Sequence, residues 1–344
     1  MVNEIEPVEA ISKETLSKED YEKYNSLGEN LIRNGQLAVC SMAGGQGTRL
    51  GHNGPKGTFV VNFTKIPPKS IFQINAEKML KAYKDYGIYL DWYIMTSVDN
   101  DKETKDFFEK NGYFGYPKEK IVFFVQGRFP LLNRQKETIK DKSGNEVLAA
   151  NGNGGIFKAL KDEKIIDLMA KKGIKYLATC NVDNILINPI DNVSLGLLAE
   201  NETELGIKSL IKTVPEEKVG MIVKKEGKTT VIEYIDFPKE MLSKRDKDGN
   251  LVYSESHFGC NYISLALLER IAEKNLPIHE AYKKNDEYGE YIKQEMFIFD
   301  GFEMANSSKV IRVKREDEFA PIKNKEGVDS PETAIVLYEN KYFE

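Results

Sequence analysis

Residues 37–59 constrain this chain more than any other segment, because there the apolar run LAVCSMA breaks abruptly into GGQGTRLGHNGPKGTF. A short apolar run ended by glycines reads as a buried strand. A glycine loop directly after such a strand can bring successive backbone N–H groups against phosphate oxygens. Gly44, Gly45 and Gly47 are expected to adopt positive φ and to approach a ligand closely, together with Ala43 at the strand end. Arg49 then offers a planar fork to phosphate oxygens, and Lys56 a compact charge. Two other glycine motifs are excluded. A dinucleotide fingerprint needs G-x-G-x-x-G, but from Gly45 the chain reads GQGTRL; a Walker loop needs Gly-Lys-Ser/Thr, but Gly54 is followed by Pro55, Lys56 and Gly57.

Downstream the pattern alternates. Phe72, Ala76, Met79, Leu80 and Tyr83 recur at helical spacing after Ser70. LDWYIMTS reads as a strand, NDKETKDFFEKNG as a helix, IVFFVQ as a strand, GIFKALKDEKIIDLMAKKG as one or two helices and IKYLATCNVDN as a strand. This order predicts an α/β fold with a doubly wound, Rossmann-like mixed sheet. After residue 204 the chain becomes β-rich, in LGIKSLIKT, VGMIVKKEG and TTVIEYID, which predicts an antiparallel extension. A helix from Ser264, the strand KVIRVKR and a helix opened by Ser330, Pro331 and Glu332 complete the chain. Residues 1–34 read as a helical arm, 35–310 as the α/β domain and 311–344 as a short C-terminal segment.

Composition removes several function classes. No segment approaches the roughly 18 consecutive apolar residues of a membrane span, and a formal charge of -5 disfavours a nucleic-acid binder. The acidic start MVNEIEPVEA lacks the basic flank and apolar stretch of a secretory signal, so a cytoplasmic protein is expected. Cys40, Cys180 and Cys260 fall in expected strands and read as small buried hydrophobes, with no catalytic thiol among them. The dispersed histidines His52, His257 and His279 give no zinc pattern, and His52 reads as a solvent-facing loop residue. Any metal should be hard and oxygen-bound, and no obligate protein partner is evident.

AGGQGTRLG followed by PKG resembles the uridylyltransferase family of UDP-sugar pyrophosphorylases, and within it the UDP-N-acetylhexosamine pyrophosphorylase branch. The likeness continues in order through WYIMTS at 92–97, FFEKNGYFG at 107–115, VFFVQG at 122–127, NGNGG at 151–155, NVDNIL at 181–186 and REDEFAPIKN at 315–324. It implies a nucleotide-diphospho-sugar transferase fold and a Mg²⁺-assisted reaction of UTP with a sugar 1-phosphate, giving a UDP-sugar and pyrophosphate. N-acetylglucosamine 1-phosphate is the expected sugar, with glucose or galactose 1-phosphate as the alternative and a non-catalytic UDP-sugar binder as a different class.

Residue by residue, the resemblance assigns the glycine loop and Gly152 to the nucleotide and Gln126 to the uracil edge, where a carboxamide can both donate and accept. Arg49, Lys56 and Lys293 become the phosphate-facing catalytic cations and Asp183 the metal ligand; one carboxylate suffices for Mg²⁺, which keeps waters and substrate oxygens. Asn153, Gly220, Glu233 and Asn261 become sugar contacts. The chain departs from the family at SHFGCNYIS, where a GNIANH-like run is usual, and it stops about twenty residues after REDEFAPIKN, so the C-terminal domain of larger relatives is expected to be reduced or absent.

Overall fold

Strands buried on both faces carry continuous apolar runs rather than alternation, and that is what LAVCSM, DWYIMT and YLATCN become. The computed structural model describes residues 5–343, leaving the first four residues of the expected arm and the last residue outside the description. Its strands in chain order are β1 (Ile5–Pro7), β2 (Ala10–Ser12), β3 (Leu37–Met42), β4 (Val60–Val61), β5 (Lys69–Ser70), β6 (Asp91–Thr96), β7 (Ile121–Val125), β8 (Arg128–Pro130) and β9 (Leu148–Ala150). There follow β10 (Tyr176–Asn181), β11 (Leu205–Ile211), β12 (Gly220–Lys225), β13 (Lys228–Ile232), β14 (Glu255–Ser264), β15 (His279–Asn285), β16 (Gly289–Glu295) and β17 (Ser308–Arg312).

An eleven-stranded sheet runs β2-β17-β11-β14-β10-β3-β6-β7, with β12 joining β14 and carrying β1 and β13. The pairs among β10, β3, β6 and β7 are parallel, whereas β14 is antiparallel to both β10 and β11. The expected doubly wound mixed sheet with its antiparallel extension is therefore present. All parallel strands from β3 to β7 point the same way, so the loops after Met42, Thr96, Val125 and Asn181 open on one sheet end. Helices cover both faces. The helix Ile71–Tyr86 is capped by Ser70, whose Oγ accepts from the Gln73 N–H at 3.1 Å, and ends at Gly87 with φ 75°. Among the described residues no helix is long and apolar enough to cross a membrane.

The arm differs from the helical expectation. The α-helix begins only at Lys18, where Ser17 Oγ accepts from the Asp20 N–H at 3.0 Å, and before it the described residues form the strands β1 and β2 and one 3-10 turn at Lys13–Thr15. Pro7 has no N–H to give a helix interior. The edges of β12 and β17 meanwhile offer unpaired backbone groups, which β1 and β2 take up in antiparallel and parallel register respectively.

One polar cluster lies inside this core. Lys208 on β11 is fully buried, with Nζ 2.7 Å from Glu318 and 2.8 Å from Asp191, and Lys13 approaches Asp191 to 2.6 Å. Burial alone would discharge the ammonium, but Asp191 and Glu318 hold its pKa well above the usual lysine value. Burial would likewise raise Asp191, but Lys208 and Lys13 hold it well below the usual carboxylate range. Lys208→Ala would leave two buried carboxylates short of a cation, and should destabilise the fold by about 3–5 kcal/mol. Because the folded-state pKa of Asp191 is depressed, that stability is present above its unfolded value, about 4, and fades in acid. Urea midpoints at neutral and acid pH should show a large gap between wild type and variant that narrows in acid; equal midpoints at neutral pH would contradict the assignment.

Candidate active site

The glycine loop leaves β3 with the Ala43 N–H donating to the Met95 carbonyl at 2.8 Å. It then folds back on itself. The Gly47 N–H donates to the Gly54 carbonyl at 2.9 Å and the Lys56 N–H to the Gly45 carbonyl at 3.1 Å. Gly44, Gly45 and Gly47 are not in the left-handed region expected of them: Gly47 has φ −82°, and positive φ falls instead on Gly51 and Gly54. What Gly44 and Gly47 require is space. A Cβ on Gly44 would overlap the Gln126 amide, and one on Gly47 would stand 2.8 Å from the His52 side chain, while Gly45 faces open space. His52 is correspondingly half-buried rather than solvent-facing, with Nε2 2.7 Å from Thr58 Oγ1 and its ring edge-on to Phe59.

Asn100, which sequence reasoning did not single out, holds this loop. Buried after β6, it donates from Nδ2 to the Ala43 and Gly45 carbonyls at 3.0 and 3.3 Å and accepts from the Ser97 N–H at 2.8 Å. Its sequence signal is an Asn just before the helix Asp101–Lys110, which by itself means only a helix cap.

Gly44, Gly45, Gln126, Gly152, Asn153 and Lys293 line one cavity of about 430 Å³, with Gln46, Asp99, Asn181 and Glu295. Gln126 directly follows β7, its N–H donating to the Thr96 carbonyl at 2.9 Å. Only 6% exposed, it makes no side-chain hydrogen bond among the described residues, and its carboxamide borders the cavity against Gly44. Gly152 has φ 87°, and a Cβ there would overlap the Met296 carbonyl, so glycine is needed on both counts. Asn153 pins the same loop, since its Oδ1 accepts from the Ile298 N–H at 2.9 Å. Lys293 lies on β16, 2.7 Å from Glu295.

Beside the cavity, Lys56 meets Asp183 at 2.9 Å, each side chain 15% exposed. Asp183 follows β10, and its carbonyl accepts from the Ile322 N–H at 2.9 Å. The next residue, Asn184, donates to the Glu318 carbonyl at 2.7 Å and accepts from the Ala320 N–H at 2.9 Å. Arg49 is exposed on the short helix Thr48–Leu50 and has no ion pair among the described residues.

The expected sugar contacts divide. Gly220 and Glu233 adjoin, since a Cβ on Gly220 would lie 3.5 Å from Glu233 Oε1. Glu233 lines a second cavity of about 520 Å³ with His279 and Asp300. Burial and Asp236 raise its pKa against the opposing pull of His279 and Lys323. Lys323, one residue beyond the Ile322 that holds Asp183, is a cation the sequence reading did not nominate. Asn261 instead sits inside the sheet, its Oδ1 2.9 Å from His257 Nε2 and its Nδ2 donating to Thr179 Oγ1 at 3.3 Å. Burial pulls the His257 pKa down to about 4, so the ring is neutral at pH 7.

Comparison with known proteins places the chain among similar sequences and structures. The family model for UTP–glucose-1-phosphate uridylyltransferase matches residues 2–339. The UDP-N-acetylglucosamine pyrophosphorylase of Saccharomyces cerevisiae is 37% identical over 361 residues, covering 97% of this chain and 75% of the yeast protein. UDP-N-acetylglucosamine diphosphorylase 2 of Arabidopsis thaliana is 36% identical over 360 residues, covering 97% of this chain and 71% of the plant protein. The crystal structure of the uridine diphosphate N-acetylglucosamine pyrophosphorylase from Trypanosoma brucei, in complex with inhibitor, matches with a TM-score of 0.90 at 30% identity, over 98% of this chain and 73% of that one.

Gly44→Ala should act through its neighbour, because the added methyl must displace the Gln126 amide. Gly44→Ala and Gln126→Ala are each expected to weaken UTP binding about tenfold, the loss of one or two directed hydrogen bonds, with little change in melting temperature. Isothermal titration with UTP checks this; wild-type affinity in both variants would separate Gln126 from the nucleotide.

Proposed function

This chain belongs to the UTP–glucose-1-phosphate uridylyltransferase family, and we propose that it transfers uridylyl from UTP to N-acetylglucosamine 1-phosphate, releasing pyrophosphate. The observation that carries this reading is a single arrangement around one glycine loop. An unpartnered buried carboxamide, Gln126, stands against Gly44, and the Lys56–Asp183 pair stands where the loop closes. The first can read a uracil edge; the second can handle phosphates. The names of the yeast, plant and trypanosome relatives support the acetamido sugar.

In this reaction an oxygen of the sugar 1-phosphate attacks the α-phosphorus of UTP, and the bond to the β-phosphate oxygen breaks, so pyrophosphate leaves with that bonding pair. The attacking group, with a second pKa of about 6, is largely ionised at neutral pH and needs no strong base. The chain's task is to bring two anions together and hold them in line. The amides of the glycine loop, Lys56 and Arg49 would face the UTP phosphates, and Lys293, which lines the cavity with Gly44 and Gly45, would join them. Gly220 and Glu233, with Lys323 close by, would face the sugar side.

Asp183 fits a Mg²⁺ ion that arrives with the nucleotide. Among the described residues no three His, Cys, Asp or Glu side chains converge to hold a metal alone. One carboxylate opening beside a phosphate loop is the donor set Mg²⁺ takes when waters and phosphate oxygens complete its shell. Bound there, the ion would neutralise charge on the transferring phosphoryl group. The three free, buried cysteines support a reducing, cytoplasmic compartment.

Pyrophosphate release from UTP with N-acetylglucosamine, glucose and galactose 1-phosphates tests the reaction and the sugar together; no release with any of them would refute it. Asp183→Asn keeps the shape and removes the charge, so turnover should collapse and partly return at high Mg²⁺, while an unchanged Mg²⁺ dependence would take Asp183 out of the site. Lys56→Ala should lower kcat by roughly 10²–10³, comparable to deleting one preorganised oxyanion donor. A kcat within about threefold of wild type, measured at two ionic strengths, would reduce Lys56 to an anion-steering charge.

A further inference from the structure

Asn181, the last residue of β10, has no part in the reaction as described above. It lines the cavity of about 430 Å³ beside Gly152, Asn153 and Lys293, half-buried, and its side chain makes no hydrogen bond among the described residues. Two other asparagines near it are engaged in the fold: Asn261 through both ends of its amide, Asn153 through its oxygen. Asn181 therefore keeps two N–H donors and a carbonyl acceptor unspent at the cavity wall.

The neighbouring strand is shaped around it. Gly259, within β14, has φ 86°, and a Cβ there would overlap Asn181 Nδ2. The ladder between β11 and β14 shifts register between Ile207 and Ser209, opposite this point. A strand-interior glycine with a register shift marks a close approach rather than ordinary pairing. Gly259 lies in SHFGCNYIS, the segment where the sequence departs from the family pattern, so the departure and the unspent Asn181 amide are two sides of one contact.

The place of Asn181 in the chain narrows what it can touch. Two residues before Asp183, its Cα is at most about 7 Å from that of Asp183. A sugar 1-phosphate held by its phosphate near Asp183 brings its C2 substituent, next to the anomeric carbon, closest. An acetamido group there offers an N–H and a C=O on separate atoms, both of which a carboxamide can pair; a hydroxyl puts its donor and acceptor on one oxygen and cannot take up both ends of the amide in that arrangement. We propose that Asn181, given room by Gly259, is a specificity-determining residue that reads the 2-acetamido group of the sugar 1-phosphate. This rests on the uridylyltransferase reading above.

Steady-state kinetics of Asn181→Ala with N-acetylglucosamine 1-phosphate and with glucose 1-phosphate, at saturating Mg²⁺, test it. Expected is a fall of about tenfold or more in kcat/KM for the acetamido sugar. The value for glucose 1-phosphate and the KM for UTP should stay within about twofold. Asn181 is a cavity-wall residue without fold-spanning bonds, so the variant should fold, as a melting curve will check. Gly259→Ala, if folded, should show the same selective loss. Equal losses on both sugars, a raised KM for UTP, unchanged kinetics, or a wild-type preference for glucose 1-phosphate would each overturn the proposal. A wild type that releases no pyrophosphate from any sugar 1-phosphate would instead overturn the parent reading, and this proposal with it.

Discussion

A lysine with no solvent exposure can stay charged only if carboxylates come to it, and much of this site is arranged by the carboxylates that come to Lys208. Asp191 ends the loop that begins at Asp183, and Glu318 comes from the C-terminal segment. Lys208 also donates to the Asn188 carbonyl at 2.8 Å, between the two. The loop after β10 and residues 318–322 are thereby drawn to one point, and the bonds from the Ile322 N–H to the Asp183 carbonyl and from the Ala320 N–H to Asn184 Oδ1 follow from that proximity. Such a cluster adds little net stability over an apolar core, but it admits few alternative arrangements. Position, rather than stability, is what a phosphate-handling carboxylate requires.

The parts of this architecture that depend on local chemistry were legible in the sequence. Buried strands, the glycine loop, capped helices and the β-rich second half each leave a periodic or punctuating signal within a dozen residues. What depends on distant partners was not legible. β1 and β2 exist because β12 and β17 have free edges, which nothing in IEPVEAIS announces. The glycines of the loop were read as conformational necessities, yet Gly44 is there because Gln126 stands in front of it, 82 residues later in the chain. Asn261 and Asn181 look alike in sequence. Only the fold distinguishes them, by giving His257 and Thr179 to one and an open cavity wall to the other. REDEFAPIKN carried family likeness without a role, and its role, through Glu318, Ala320 and Ile322, is long-range.

The cations assigned to the proposed site raise a separate question, since like charges aimed at one set of phosphates repel each other before any substrate is present. Three of them have a carboxylate of their own: Lys56 with Asp183 at 2.9 Å, Lys293 with Glu295 at 2.7 Å and Lys323 with Asp329 at 3.2 Å. Partly exposed pairs of this kind are worth only about 0–1 kcal/mol each. They are strong enough to orient a flexible lysine and weak enough to be exchanged for a phosphate. Arg49, exposed and without an ion pair, needs no such exchange and offers a rigid fork from the start. In the proposed reaction the cations would thus be held in place by neighbouring carboxylates before the anions arrive, so that part of the cost of orienting them is met in folding rather than in binding.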